Sequence, residues 1–138
     1  MSVIVTDSGF GTDDWTGGFV APETLAANDC GQLGLDLLPD ADLSQIADKL
    51  HCFALIRIAF PSFADGRGFT LAAELRRMGY SGRLRAHGHV IADQYAMARR
   101  AGFDEVEIAD DLAARQPEDQ WLARAAWQTR DYRARLRG

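Results

Sequence analysis

Asp65-Gly66-Arg67-Gly68 is the stretch of this 138-residue chain best suited to hold a ligand. It precedes a segment with a helical apolar pattern, and the first N–H groups of a helix lack internal partners and favour anions. Gly66 and Gly68 permit positive φ and close backbone approach. Arg67 offers a planar fork to a carboxylate, a phosphate or a sulfur oxyanion. The competing reading is a tight turn in which Asp65 and Arg67 stabilise each other. The stretch is not the dinucleotide fingerprint, because Leu71 stands where a third glycine belongs.

Two other constellations carry chemistry. Asp93 and Gln94 open a helical segment, Asp93 suiting the helix dipole and Gln94 offering an amide donor and acceptor to a cleft. His87-Gly88-His89 ends an apolar strand, and two histidines so spaced can share a metal if Asp65, Asp93 or Asp110 adds a ligand. A solvated or hydrogen-bonded pair is the preferred reading, so no metal site is expected. Spacing argues for no Ser–His–Asp or Cys–His set, since such partners meet only in space. Lys49, the only lysine, follows Asp48 in a helix-like stretch, which removes a phosphate-binding P-loop and disfavours Schiff-base chemistry. Cys30 and Cys52 are the only cysteines, and neither a CxxC nor a four-cysteine cluster set exists. Cys52 reads as a buried small apolar residue and Cys30 as an exposed thiol in a polar loop.

The elements that must position these groups follow from periodicity. Val3-Ile4-Val5 reads as a short strand, residues 7–18 as a loop anchored by Trp15, and Phe19-Val20-Ala21 as a second short strand. Residues 33–38 read as a strand ending at Pro39. Asp42 and Gln45 form a capping box for a helix whose apolar face is Leu43, Ile46, Ala47 and Leu50. Residues 53–60 are nearly all apolar, as for a central strand covered on both faces. Arg57 is the polar intrusion and needs a partner if buried. A helix presenting Leu71, Ala72, Leu75 and Met78 follows, with Gly79 as its cap. Residues 83–87 form the next strand, 91–101 a helix capped by Gly102, and 106–108 the last strand. Residues 111–137 read as helical, broken near Pro117, with Trp121, Ala125 and Gln128 on an apolar stripe.

The alternation implies a single α/β domain over residues 1–138, with an irregular segment 1–32 and C-terminal helices over 111–138. The sheet is mostly parallel and built of consecutive β-α units, open or resembling part of a barrel. Four units are too few for a closed eight-stranded barrel, unless N-terminal strands or a second subunit complete it. Ligands of parallel sheets bind beyond the carboxyl ends of the strands. That rule selects residues 39–42, 61–68, 88–93 and 109–111, all expected on one edge.

Composition narrows the function classes. A net charge of −5 argues against nonspecific nucleic-acid binding. Thirteen of the fourteen arginines nevertheless lie at or after Arg67, and the last segment carries Arg124, Arg130, Arg133, Arg135 and Arg137. No apolar run approaches the ~18 residues of a membrane span. Met1-Ser2-Val3-Ile4-Val5-Thr6-Asp7 lacks the basic start of a signal peptide, so a cytoplasmic location is expected.

Residues 60–70, Gly82-Arg83-Leu84-Arg85-Ala86, Asp93-Gln94 and Gly102-Phe103-Asp104 together resemble a bacterial family, the domain of unknown function 934. The segment 33–39 and Trp15 also fit it. Members are usually described as oxidoreductases involved in sulfite reduction. The family pattern is matched at Asp65, Gly66, Arg67, Gly68, Arg85, Asp93 and Gln94. The chain departs from it at His87-Gly88-His89, where valine-glycine-aspartate is more usual. The resemblance implies a place in sulfite reduction and assimilatory sulfur metabolism, with an oxidoreductase role resting on the resemblance alone. With no flavin, nicotinamide, cluster or sirohaem signature in the sequence, no cofactor is assigned. The first expectation is an accessory protein or adaptor that binds sulfite reductase or another sulfur-assimilation protein. The second is a small domain or enzyme that binds an anion through Asp65, Arg67, Arg85 and Gln94. The third is a structural subunit of a homodimer.

Overall fold

Six strands form one sheet in the order β2-β1-β6-β5-β4-β3. They are β1 (Ser2–Thr6), β2 (Gly9–Gly11), β3 (Leu33–Leu37), β4 (Phe53–Phe60), β5 (Arg83–Gly88) and β6 (Glu105–Ala109). The computed structural model describes residues 2–24, 33–125 and 127. β3 to β6 run parallel in sequence order, and β1 joins β6 antiparallel with β2 as its hairpin partner. The mostly parallel α/β architecture is as expected; the antiparallel addition is new, and β2 arises inside the stretch read as loop. The segment around Phe19 forms no full strand: Val20 makes a single bridge to Leu35 at the far edge.

Every strand alternates, because successive side chains of an extended chain point to opposite faces. Leu35, Leu37, Ile56, Ile58, Leu84, Ala86, Val106, Ile108 and Val5 project into the main core. Against them pack α1 (Arg67–Arg77) through Leu71, Ala72 and Leu75, and α2 (Tyr95–Ala101) through Tyr95 and Ala98. α3 (Asp110–Arg115) adds Leu112, and α4 (Glu118–Leu122) adds the buried Trp121. β4 is therefore not covered by helices on both faces. Its other face carries Leu55 and Arg57, under the N-terminal segment.

Three helical expectations are corrected. Residues 43–50 do not form an α-helix but two 3-10 turns, Leu43–Gln45 and Leu50–Cys52. The carboxylate of Asp42 accepts from both the backbone N–H and the hydroxyl of Ser44 and so caps the first turn, but the backbone bonds that follow, Ile46 N–H to Leu43 and Lys49 N–H to Ile46, close 3-10 turns. Leu43, Ile46 and Leu50 are still buried, so the apolar pattern was right and the helix type was not. Met78 lies at the end of α1 and is exposed. The segment after Ile91 starts as a 3-10 turn, Ala92–Gln94, before α2. Gly79 and Gly102 hold positive φ at the helix ends, as the capping reading required. Cys52 is buried, but it is disulfide-bonded and not a free thiol. Cys30 and Gln128 lie outside the described residues.

Candidate functional site

The four segments chosen from topology do share one edge, since β3, β4, β5 and β6 are parallel neighbours. The DGRG turn and the Asp93-Gln94 pair both lie on it. Gln94 donates its amide to the Phe63 carbonyl at 2.8 Å and accepts from the Ile91 N–H at 3.0 Å, tying the segment after β5 to the one after β4. His89 Nδ1 lies 2.8 Å from the Pro61 carbonyl, and its ring packs edge-on against Phe63. Asp93 reaches the other way, to Arg124 at 2.6 Å.

Within the turn, Asp65 and Arg67 hold each other. Arg67 donates from Nε at 3.0 Å and Nη2 at 2.7 Å to the two oxygens of Asp65, and its backbone N–H donates to the same carboxylate at 3.1 Å. The side-chain hydrogen bond from Arg67 is the main force that lowers the Asp65 pKa. Asp40, from the segment after β3, adds to the field that raises the Arg67 pKa. Of the two freedoms that the glycines permit, only close approach is used. Neither has positive φ: Gly66 sits at φ −88° and caps α1, while Gly68 lies in its first turn. A Cβ on Gly66 would meet open space, but one on Gly68 would lie 2.5 Å from the Phe60 ring. Gly68 is thus needed for close packing, not for an unusual backbone.

Arg85 is not on this edge. It lies mid-strand on the face opposite the helices, with its side chain 0% exposed. There the register places Asp36, Arg57, Arg85 and Glu105 in one row across the sheet, with His87 beside Glu107 in the next. Arg85 donates to Glu105 at 2.6 Å, to Glu107 at 2.9 Å and to Asp13 through both terminal nitrogens at 3.1 Å. Arg57 forks onto Asp36 at 2.6 and 2.7 Å and reaches Glu107 at 3.2 Å, under the ring of Phe19. Arg83 joins Glu105 and Asp14. Burial opposes the Arg85 charge, yet its three carboxylates outweigh that and raise its pKa. Among the described residues no buried side-chain polar atom lacks a partner, so a charged layer survives where a lone charge would not.

The N-terminal segment closes this layer. It follows β2 at the edge of the sheet, crosses the charged rows with Asp13 and Asp14, and reaches β3 with Val20. Trp15 donates Nε1 to the Gly18 carbonyl at 2.7 Å, a bond within the segment itself. Gly34 lets it approach: a Cβ there would lie 2.4 Å from the Gly18 oxygen and 2.9 Å from Trp15 Nε1.

His87 stands where the charged layer meets the edge. Its Nε2 is 3.5 Å from Glu107, and burial holds its pKa below the ordinary imidazole value despite that carboxylate. It borders two cavities. One, of about 280 Å³, opens beside His89, Asp111 and Arg115. The other, of about 480 Å³, opens toward Asp36, Leu38 and Asp40. The described residues contain no group of three or more His, Cys, Asp or Glu placed to hold a metal.

The structure thus places Asp65, Gly66, Arg67, Gly68, Asp93 and Gln94 on one edge, where Gln94 bonds Phe63 and Asp93 turns away to Arg124, and separates Arg85 from them. Sequence reasoning missed Asp36, Glu105 and Glu107 as partners of Arg57 and Arg85. The available signal was charge at alternate positions of β5 and β6 with one charge each in β3 and β4, and only register shows that these charges face one another. No helix among the described residues is long and apolar enough to cross a membrane. No curated protein matches the chain. A family model described as a bacterial protein of unknown function, DUF934, matches residues 34–135, which takes in the parallel sheet, the DGRG turn and the charged rows. With three quarters of its length matched, the chain belongs to the DUF934 family.

Proposed function

We propose that the chain is a cytoplasmic accessory protein of sulfite reduction that docks a sulfur-assimilation enzyme on the carboxyl edge of its parallel strands. The observation that supports docking is the pairing of two exposed apolar side chains with acidic neighbours on that edge. Leu38 is 66% exposed and Phe63 43% exposed. Asp40, Asp42, Asp65 and Asp93 belong to the same edge segments. Apolar anchors within a charged rim are the usual anatomy of a protein interface. The edge is also held stiff by Gln94 and by the Asp65–Arg67 fork, which lowers the ordering cost of binding. The sulfite-reduction part of the reading comes from the activity usually ascribed to the family.

The test is direct capture. The tagged chain, incubated with extract of sulfate-grown cells, should retain sulfite reductase or another enzyme of sulfur assimilation. Leu38→Ser with Phe63→Ala should weaken retention about tenfold or more, as loss of central apolar anchors does. Recovery of no such enzyme, or equal recovery by the double variant, overturns the reading.

A second reading, a small-anion site at the DGRG turn, is favoured by the exposure of Arg67, 60% at its side chain, at the start of α1. The anion would have to compete with Asp65 and with the field of Asp40. Sulfite, sulfate or phosphate should then raise the melting temperature of the wild type and not of Arg67→Ala; no shift in either protein excludes it.

A further inference from the structure

The larger cavity beside His87 has a lining that decides the sign and shape of a ligand. It lies at the carboxyl ends of β3, β4 and β5, where parallel sheets take their ligands. Its volume of about 480 Å³ is in the range of small-molecule sites. Leu37, Leu38 and Ala59 give it an apolar floor, and Glu23, Asp36, Asp40 and Asp42 border it.

We propose that this cavity binds a small organic cation, an alkylammonium or alkylguanidinium group on a short apolar stem. The stem would lie on the apolar floor and the head among the carboxylates, where charge-assisted hydrogen bonds are strongest. Asp36 already accepts a guanidinium fork, from Arg57, on its two oxygens. Arg57 is shared between Asp36 and Glu107, and Arg67, which feels Asp40, is forked onto Asp65, so the four carboxylates of the lining remain in excess of positive charge. Burial lowers the His87 pKa from its ordinary value, against the pull of Glu107. An anion would meet repulsion at this mouth.

The cavity stands on its own lining and does not depend on the docking reading. The cationic group has two sources, a free metabolite or an arginine or lysine side chain of a bound protein. The full chain should therefore be titrated by NMR with agmatine, with N-acetyl-leucyl-arginine amide and, as a control, with glutarate. Agmatine or the capped dipeptide should move the His87 ring signals and the amides of residues 36–42, saturating in the millimolar range or below. Glu23→Gln with Asp40→Asn, both at exposed positions, should weaken this about tenfold, as loss of a charge-assisted contact does. Binding of agmatine assigns the site to free metabolites; binding of the dipeptide alone assigns it to a protein side chain. Absence of saturation by either probe at about 10 mM, equal binding by the double variant, or binding of glutarate at the same residues would overturn the proposal.

Discussion

Replacing Arg85 by methionine removes the hub of the charged layer and keeps most of the side-chain volume. Arg85 donates to Asp13, Glu105 and Glu107. Glu105 and Glu107 are almost wholly buried, so the substitution leaves negative charge in a site from which water is excluded. Breaking a buried pair from one side costs ~3–5 kcal/mol. Arg83 stays on Glu105 and Arg57 on Glu107, which sets the expectation at the lower end, about 3 kcal/mol, or roughly 10 °C in melting temperature for a domain of this length. Urea unfolding followed by circular dichroism measures it. The pH dependence supplies a second arm. Burial raises the Asp13 pKa, but the hydrogen bonds from Arg85 and the Trp15 N–H outweigh this and hold it below the ordinary carboxylate value. A carboxylate with a depressed folded pKa contributes stability above its unfolded pKa and loses it as pH falls through the folded one. Without Arg85 that contribution is diminished, so the deficit of the variant should narrow below about pH 4. A loss under about 1 kcal/mol at neutral pH, or a deficit that stays constant from pH 7 to 3, would refute the assignment of Arg85 as a structural hub.

Other expectations are as specific. Gly34→Ala drives a methyl group into the Gly18 carbonyl and the Trp15 indole, and should cost ~1–3 kcal/mol by overpacking while loosening the N-terminal segment to proteolysis. Gln94→Ala removes one hydrogen bond between edge segments, to Phe63, and one local bond from the Ile91 N–H, and should cost about 1–2 kcal/mol and speed amide exchange at Ile91. Arg67→Ala breaks an exposed pair, so the urea midpoint should be unchanged within error; a large drop would mean the turn is a stability element. His87 should titrate below its ordinary value of about 6.5. Because its folded pKa is depressed, stability is fully present above the unfolded pKa and falls as pH drops toward the folded one. Glu107→Gln should lower the His87 midpoint further by removing the favourable carboxylate, and a rise would contradict the pairing.

The parallel part of the fold was legible because β-α alternation and cap residues leave local marks. Gly79 and Gly102 end helices as expected, and Leu33–Leu37, Phe53–Phe60, Arg83–Gly88 and Glu105–Ala109 are strands. The segment after Asp42 was misread because an N-cap and an apolar spacing mark where a turn starts and not how it propagates: the bonds that follow are of the 3-10 kind, Ile46 N–H to the Leu43 carbonyl and Lys49 N–H to the Ile46 carbonyl. The shared edge of the DGRG turn and the Asp93-Gln94 pair followed from strand direction alone. The charged layer did not, because a residue such as Glu107 finds Arg57 fifty positions away only through register. Arg85 was grouped with the turn by a family pattern, which says that a residue matters and not which face of a strand it occupies.

The most direct test of docking at the carboxyl edge is an amide-shift map of the labelled chain titrated with purified sulfite reductase. The account predicts perturbations confined to residues 38–42, 61–68 and 88–94, weakened by salt as charge contacts are. Absence of binding, or perturbations centred on the exposed sides of α1 and α2, would contradict it.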